Sequence, residues 1–183
     1  MLREISLNIL DVSQNSIASK ASLIEISVEI DTRRKELVFE IKDNGCGMNE
    51  EQLANVTDPF FTSRTTRKVG LGVPFLKQAA EATGGSFEIQ SQVGVGTRIR
   101  TLFHTGHIDC MPLGDITETI WSIVTMNEAL DFVYTYRCDD REFVMDTREI
   151  RAIIGDISFL TPEVSKFIHN YLEENKQYVD RKE

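Results

Sequence analysis

The sequence is poor in the features that mark secreted and membrane-spanning proteins. Its three cysteines, Cys46, Cys110 and Cys138, are an odd number without CxxC spacing, so neither a disulfide framework nor a zinc site is indicated. Apolar runs are short, and none approaches the ~18 residues that a membrane-spanning helix needs. Charged residues interrupt the apolar pattern of residues 1–17, which excludes a secretory signal peptide. We therefore expect a cytoplasmic protein.

Basic residues are scarce in the second part of the chain. Residues 1–104 contain 12 Lys and Arg against 13 Asp and Glu, a net charge of −1, whereas residues 105–183 contain 8 against 16, a net charge of −8. An acidic surface repels phosphates, so binding to nucleic acid or to an anionic membrane is disfavoured. The near-neutral first part remains able to hold an anionic ligand.

Hydrophobic residues make up 41% of the chain, which is enough for a core, and their spacing predicts a mixture of helices and strands. Residues 2–19 repeat apolar side chains at helical spacing, and residues 23–31 alternate apolar and polar side chains as a half-buried strand does. The same criteria predict further strands at 37–42, 86–91 and 97–103 and a helix at 73–83.

Asp11 and Asn15 are four residues apart in the first predicted helix, so they lie on one face. They could form an ordinary solvated face. They could equally direct a carboxylate and an amide into one pocket, where the carboxylate accepts a proton and the amide oxygen ligates Mg²⁺.

The loop Asp43-Asn44-Gly45-Cys46-Gly47-Met48 follows the strand predicted at 37–42. Two glycines permit positive φ and close approach of a ligand to the backbone, and a carboxylate beside them can accept a hydrogen bond from an exocyclic amine. Taken alone the pattern is weak, because most such stretches are ordinary turns.

A polar, basic stretch containing Arg64, Arg67 and Lys68 ends in Gly70-Leu71-Gly72, directly before the helix predicted at 73–83. Backbone N–H groups and the positive end of a helix dipole bind phosphate, and three cations upstream favour a polyphosphate over a plain linker. The long loop before the glycines is typical of a lid.

These motifs occur in a fixed order over about ninety residues and together resemble the ATP-binding domain of the GHKL superfamily, which includes sensor histidine kinases, gyrase-type topoisomerases, Hsp90 and MutL proteins. The sequences that carry the resemblance are Asp11-x-x-x-Asn15, Asp43-x-Gly45-x-Gly47, Phe60-Phe61…Gly70-x-Gly72 and Gly94-x-Gly96-Thr97. The third, which reads Pro59-Phe60-Phe61-Thr62-Ser63 and Gly70-Leu71-Gly72 before a helix and Gly84-Gly85, resembles the histidine kinases most, while residues 10–17 are equally similar to MutL and gyrase.

The resemblance implies an α+β fold, a two-layer α/β sandwich of the Bergerat type with a mixed sheet and helices on one face. It implies that Asp43 accepts from the adenine amine, helped by Thr97 through a water, and that Gly45 and Gly47 admit the purine. Asn15 would coordinate Mg²⁺. The remaining implied contacts to ATP are the phosphate-binding backbone of Gly70, Leu71 and Gly72 and a lid over residues 61–70 that includes Phe61.

Asp11 departs from the family pattern, because hydrolysing members carry Glu there as the general base. The shorter side chain would misplace the carboxylate by about an ångström, an error that can cost about a hundredfold in rate. A second departure concerns the acceptor histidine, which histidine kinases carry on a dimerisation helix before the ATP domain, whereas the pattern begins here at residue 2 and His104, His107 and His169 all follow it. If the protein is a kinase, we therefore expect its substrate to be another protein, as in the stand-alone kinases among the anti-sigma factors, which the chain also resembles. We therefore expect a Mg·ATP-binding, histidine kinase-like protein that transfers the γ-phosphate to a protein or to water. An ATP-sensing module without turnover is the alternative, and a MutL-like DNA-maintenance ATPase fits the acidic charge less well.

Residues 105–183 contain no recognisable motif, and we divide the chain into an ATP-binding domain at 1–104 and an acidic C-terminal extension at 105–183. The pattern predicts helices at 115–127, 147–154 and 161–177, strands at 131–137 and 142–145, and a frayed tail at 178–183. The predicted hairpin could extend the sheet or belong to a small α+β appendage. The charge of −8 would suit either a basic protein partner or solubility alone.

Overall fold

The computed structural model describes residues 4–58 and 72–181. Within these residues the helices are α1 (Ile5–Ala18), α2 (Glu50–Asn55), α3 (Gly72–Ala82), α4 (Ile116–Met126), α5 (Thr147–Ile154) and α6 (Pro162–Asp180). The strands are β1 (Leu23–Asp31), β2 (Glu36–Asp43), β3 (Ser86–Gln92), β4 (Gly96–His104), β5 (Asp131–Cys138) and β6 (Arg141–Asp146).

The six described strands form one sheet in the order β3-β4-β2-β1-β5-β6. The pair β1–β5 is parallel, and the other four neighbouring pairs are antiparallel. A parallel pair needs a long crossover, and here the chain between β1 and β5 includes the helices α3 and α4. The sheet is therefore mixed.

Helices α1, α3, α4 and α6 cover one face of the sheet and bury its alternating apolar side chains. Ile24, Ile26 and Val28 of β1 point into this layer, as their period-two spacing requires. Each helix contributes an apolar stripe to the same core; α1 supplies Ile5, Ile9 and Val12, α3 Leu76 and Ala80, α4 Ile116, Ile120 and Ile123, and α6 Ile168, Leu172 and Val179.

The opposite face of the sheet carries charged residues that pair across strands. Lys42 lies 2.8 Å from Glu25, and Arg98 lies 2.6 Å from Glu40. Such pairs suit a solvated face, where exposed ion pairs contribute little. The molecule thus has two layers, and the predicted α+β sandwich with a mixed sheet and helices on one face is confirmed.

The hairpin of β5 and β6 extends the sheet beyond β1, which decides between the two arrangements left open by the sequence. Leu23 pairs with Asp131 at one end of the parallel ladder, and Ile30 pairs with Cys138 at the other.

The tips of the β1–β2 and β5–β6 hairpins also meet. The backbone N–H and the hydroxyl of Thr32 both donate to the Asp139 carboxylate, at 2.8 and 2.7 Å.

The prediction of a frayed tail from residue 178 is wrong for residues 178–180, which continue α6 to Asp180. Val179 is fully buried against the core, and the Tyr136 hydroxyl of β5 donates to Asp180 at 2.8 Å. These tertiary contacts hold a last turn that local sequence does not mark. At the other end Thr161 is the N-cap residue, and its side chain makes no cap hydrogen bond.

Candidate functional site

The Asp43 carboxylate is buried at the end of β2 and is fixed by hydrogen bonds to both oxygens. The Ser16 hydroxyl of α1 donates to Oδ2 at 2.6 Å. The backbone N–H groups of Gly45 and Thr97 donate to Oδ1 at 2.9 and 3.3 Å. A carboxylate oxygen has about two acceptor positions, so Oδ2 retains one for a further donor. The arrangement presents a held acceptor of the kind that an exocyclic amine requires.

Ser16 of α1 and Ser19, the C-cap residue directly after this helix, lie at this arrangement, and sequence reasoning missed both. Besides Ser16, the Ser19 hydroxyl lies 3.5 Å from Asp43 Oδ1, while its shorter bond, 2.7 Å, goes to the Ser16 carbonyl. A signal for Ser19 was present, because Asp11, Asn15 and Ser19 follow one another at intervals of four and share one helix face. Ser16 gave no such signal, since it falls within the apolar stripe.

Glycines keep the backbone near Asp43 tightly packed. A Cβ added to Gly45 would lie 1.9 Å from the Ser19 hydroxyl oxygen, and one added to Gly47 would lie 1.9 Å from the Gln92 carbonyl oxygen. Gly47 also has φ of +66°, a conformation that side chains disfavour. These two glycines are therefore required by the fold of the loop itself, in addition to any role toward a ligand.

Thr97 approaches Asp43 through its backbone, whereas its side chain is engaged elsewhere. Its hydroxyl lies 2.8 Å from the hydroxyl of Ser91, which also accepts from the Met48 N–H at 2.8 Å. Ser91 thus joins β3, β4 and the loop after Asp43. The predicted water-mediated contact of Thr97 with a purine remains a prediction.

Asp11 and Asn15 occupy one exposed face of α1, as the spacing predicts. The Asn15 amide makes no hydrogen bond with the residues that the structure describes. Asp11 lies against the first residue of α3, because a Cβ added to Gly72 would come within 1.6 Å of Asp11 Oδ2. The fold therefore brings together a carboxylate and a helix N-terminus that are 61 positions apart in the sequence.

Desolvation raises the pKa of the Asp11 carboxyl above its ordinary value. A group with a raised pKa holds a proton more readily, which suits a general base that must accept one. The nearby N-terminus of α3 favours the ionised form and so opposes this shift.

Several predicted features lie outside the described residues. They are the lid at 61–70 and the residues Phe61, Arg64, Arg67, Lys68, Gly70 and Leu71. Gly72 is the member of the glycine motif that the structure describes, and it is the first residue of α3, one position earlier than predicted. Among residues 4–58 and 72–181 no group of three or more His, Cys, Asp or Glu side chains is arranged to hold a metal ion.

The two-layer fold, the held Asp43 carboxylate beside α1 and the helix N-terminus against Asp11 define an α+β protein with a candidate nucleotide site. Residues 1–106 match the model of the histidine kinase-, DNA gyrase B-, and HSP90-like ATPases, and the chain belongs to this family. The resemblance to the GHKL superfamily is thereby confirmed.

Curated relatives of this part of the chain are sensor kinases. The chain is 39% identical over 93 residues to "Sensor protein KdpD" of Clostridium acetobutylicum, a match that covers 48% of this chain and 10% of that protein. It is 31% identical over 91 residues to "Sporulation kinase D" of Bacillus subtilis, covering 50% of this chain and 18% of that protein. The chain thus corresponds to a small fraction of each relative's length.

Solved structures share the fold over most of the chain, including residues beyond the family match. The ATPase domain of Aquifex aeolicus MutL, complexed with ADP, superposes with a TM-score of 0.51 at 14% identity, covering 84% of this chain and 70% of that one. The N-terminal domain of a DNA repair protein gives a TM-score of 0.57 at 13% identity, covering 85% of this chain and 58% of that one.

In the described part of this chain, no helix has both the length and the apolar character to cross a bilayer.

Proposed function

We propose that this protein binds Mg·ATP at α1, the Asp43 loop and the N-terminus of α3, and transfers the γ-phosphate to a protein or to water. The observation that carries this proposal is the Asp43 carboxylate, buried and oriented by Ser16, Gly45 and Thr97. A buried carboxylate with three donors is costly to build unless its orientation matters. In the proposed complex it accepts from the adenine amine.

The residues present fit the other end of the nucleotide as well. Asn15 has an amide oxygen free of described partners, and amide and carboxylate oxygens are ligands that Mg²⁺ accepts. Asn15 would hold the ion, which would neutralise phosphate charge. Gly72 opens α3, whose N-terminal N–H groups favour an anion, and Gly70 and Leu71 directly precede it.

Asp11 is the group that we assign as general base, because it is next to the phosphate end and its pKa is raised. Its role is to take the proton of the attacking hydroxyl or water. A second candidate function, ATP sensing without turnover, is favoured by the same residue, since an aspartate reaches less far than the glutamate of hydrolysing family members.

The cytoplasm is the compartment that we propose. All three cysteines are free thiols, and Cys46 is exposed, which suits a reducing environment that also supplies ATP. A protein acceptor for the phosphate and any regulatory partner belong to the same proposal.

Incubation of the protein with γ-labelled ATP and Mg²⁺, alone and with a cell lysate, separates the possible reactions. Label on a protein supports kinase activity, labelled inorganic phosphate supports hydrolysis, and ATP binding without either supports sensing. Absence of ATP binding, measured by calorimetry with and without EDTA, refutes all three. The matched variant is Asp11→Asn, which should retain ATP binding and lose any turnover.

A further inference from the structure

A groove between α5 and α6 lies far along the chain from the nucleotide site and has no assigned role. Its floor consists of Met145 and Ile150, which are 1% and 6% exposed, and its volume is about 170 Å³. Ile153 of α5 and Phe167 of α6 line it and are 85% and 53% exposed. Such exposure of large apolar side chains around a buried floor is unusual for a surface without a partner.

The aromatic side chains of this α5–α6 groove are already ordered. Phe167 and Tyr171 stack with their ring centroids 5.8 Å apart and an angle of 11° between planes. Tyr171 in turn meets the ring of Phe143 edge-on at 5.2 Å. Because these rings are held by one another, a partner would not bear the entropic cost of fixing them.

The helices that form the groove carry unpaired acidic side chains, although Asp146 in its lining is paired with Arg148. Residues 105–181 are all described, and eleven of their fifteen acidic side chains have a hydrogen-bond or ion-pair partner. The four without a described partner all belong to α5, α6 or the segment between them: Glu149, Asp156, Glu163 and Glu174. Among the described lysines and arginines of Thr147–Asp180, Lys166 is the one without a hydrogen-bond or ion-pair partner.

The unpaired acids accompany the apolar side chains. Glu149 itself lines the groove. Glu163 precedes Phe167 by four residues, and Glu174 follows Tyr171 by three, so each lies one helical turn from an aromatic residue of the groove. An apolar floor with an acidic border is complementary to an amphipathic helix whose polar face is basic.

We propose that the α5–α6 groove binds a Lys/Arg-rich amphipathic helix of another protein. Charge decides between this occupant and the alternatives. A second copy of the chain would bring its own acidic α6 against Glu149, Glu163 and Glu174, and like charges would repel. An anionic lipid surface would be repelled for the same reason.

The probe for this proposal is a fluorescently labelled Leu/Lys amphipathic peptide of about 15 residues, roughly four helical turns. A Leu/Glu peptide with the same apolar pattern is the charge control. The Leu/Lys peptide should bind the full chain with 1:1 stoichiometry in anisotropy titrations, and its affinity should fall as salt is raised. The Leu/Glu peptide should bind at least tenfold more weakly.

Substitutions locate the binding. Ile153→Ser changes an almost fully exposed side chain, so folding is preserved, and it should weaken peptide binding about tenfold, as should Phe167→Ser. Glu149→Gln should reduce both affinity and its salt dependence. The matched control is Val144→Ser, which removes a 48% exposed apolar side chain from β6 on the opposite face of the sheet and should leave affinity unchanged.

Three results would overturn the proposal. They are equal binding of the Leu/Glu peptide, equal weakening by Val144→Ser and Ile153→Ser, and sedimentation of the wild-type chain as a dimer that Phe167→Ser converts to a monomer. The last result would identify a second copy as the occupant.

Discussion

Replacing Asp43 by asparagine tests the nucleotide site more cleanly than replacing it by alanine. Alanine would leave the buried Ser16 hydroxyl and Gly45 N–H without their acceptor. Each stranded donor costs about 1–3 kcal/mol, so the pair would remove roughly 2–6 kcal/mol. That loss is comparable with the whole stability of a small domain, about 5–15 kcal/mol, and would confound any binding result.

Asparagine keeps the shape of the side chain and most of its bonds. Its Oδ1 can accept from the N–H groups of Gly45 and Thr97. Its Nδ2 takes the place of the oxygen to which Ser16 donates, and the Ser16 hydroxyl can rotate to accept a hydrogen bond from this Nδ2. The change removes an acceptor for the adenine amine and places a donor there. Loss of a hydrogen bond to a charged acceptor, about 1.5–3 kcal/mol, corresponds to roughly a 10- to 150-fold weaker affinity for ATP.

Calorimetric titration with ATP and with inosine triphosphate gives the measurement. Inosine carries a carbonyl oxygen in place of the adenine amine, so wild-type Asp43 should reject it, whereas the side-chain amide introduced by Asp43→Asn should donate to it. The preference for ATP over inosine triphosphate should therefore fall by more than tenfold, with the melting temperature nearly retained. ATP affinity within twofold of wild type and an unchanged preference would refute the assignment of Asp43 to adenine.

Three further substitutions separate chemistry from folding. Asp11→Asn should abolish turnover and leave ATP affinity within a few fold of wild type. Because desolvation raises the pKa of Asp11 in the folded state, ionisation of this carboxyl lowers the stability of the fold as pH rises through that pKa. The variant should thus melt at or above the wild-type temperature at neutral pH, and the difference should vanish in acid; a lower melting temperature at neutral pH would contradict this. Gly47→Ala should lower the stability of the fold by more than about 1–2 kcal/mol, the cost of a side chain at left-handed φ, because the new methyl group also meets the Gln92 carbonyl. Gly94→Ala, at a position with positive φ and open space, should incur only the cost of the left-handed φ. Equal melting temperatures of the two variants would exclude the close contact at Gly47. Tyr136→Phe removes the hydrogen bond to the Asp180 carboxylate of α6, so the free energy of unfolding measured in urea should fall by about 1.5–3 kcal/mol while ATP affinity stays unchanged. An unchanged urea midpoint would show that the last turn of α6 does not depend on this hydrogen bond.

The order of elements and much of the site were predictable from local pattern. The strand at residues 23–31 has the bounds that its alternation predicts, and the helix at residues 147–154 likewise has its predicted bounds. The spacing of Asp11 and Asn15 placed them correctly on one helix face. In each case the deciding interaction acts within a few residues, so the sequence contains it.

Long-range pairing was not predictable in the same way. The alternation of residues 131–137 predicts a strand without indicating which strand it joins, and its parallel pairing with β1 is seen only in the assembled sheet. Ser16 has no local mark of its bond to Asp43, because a serine within an apolar stripe is chemically ambiguous until β2 is placed beside α1.

The sequence by itself determined the family, most of the secondary structure and the residue types of the candidate nucleotide site, since all of these depend on spacing and local chemistry. Only the tertiary structure decided that Asp11 lies against Gly72, that Ser16 fixes Asp43, and that α5 and α6 enclose an apolar groove with unpaired acids beside it. These features depend on contacts between elements distant in the chain, and such contacts form only when the helices pack on the sheet.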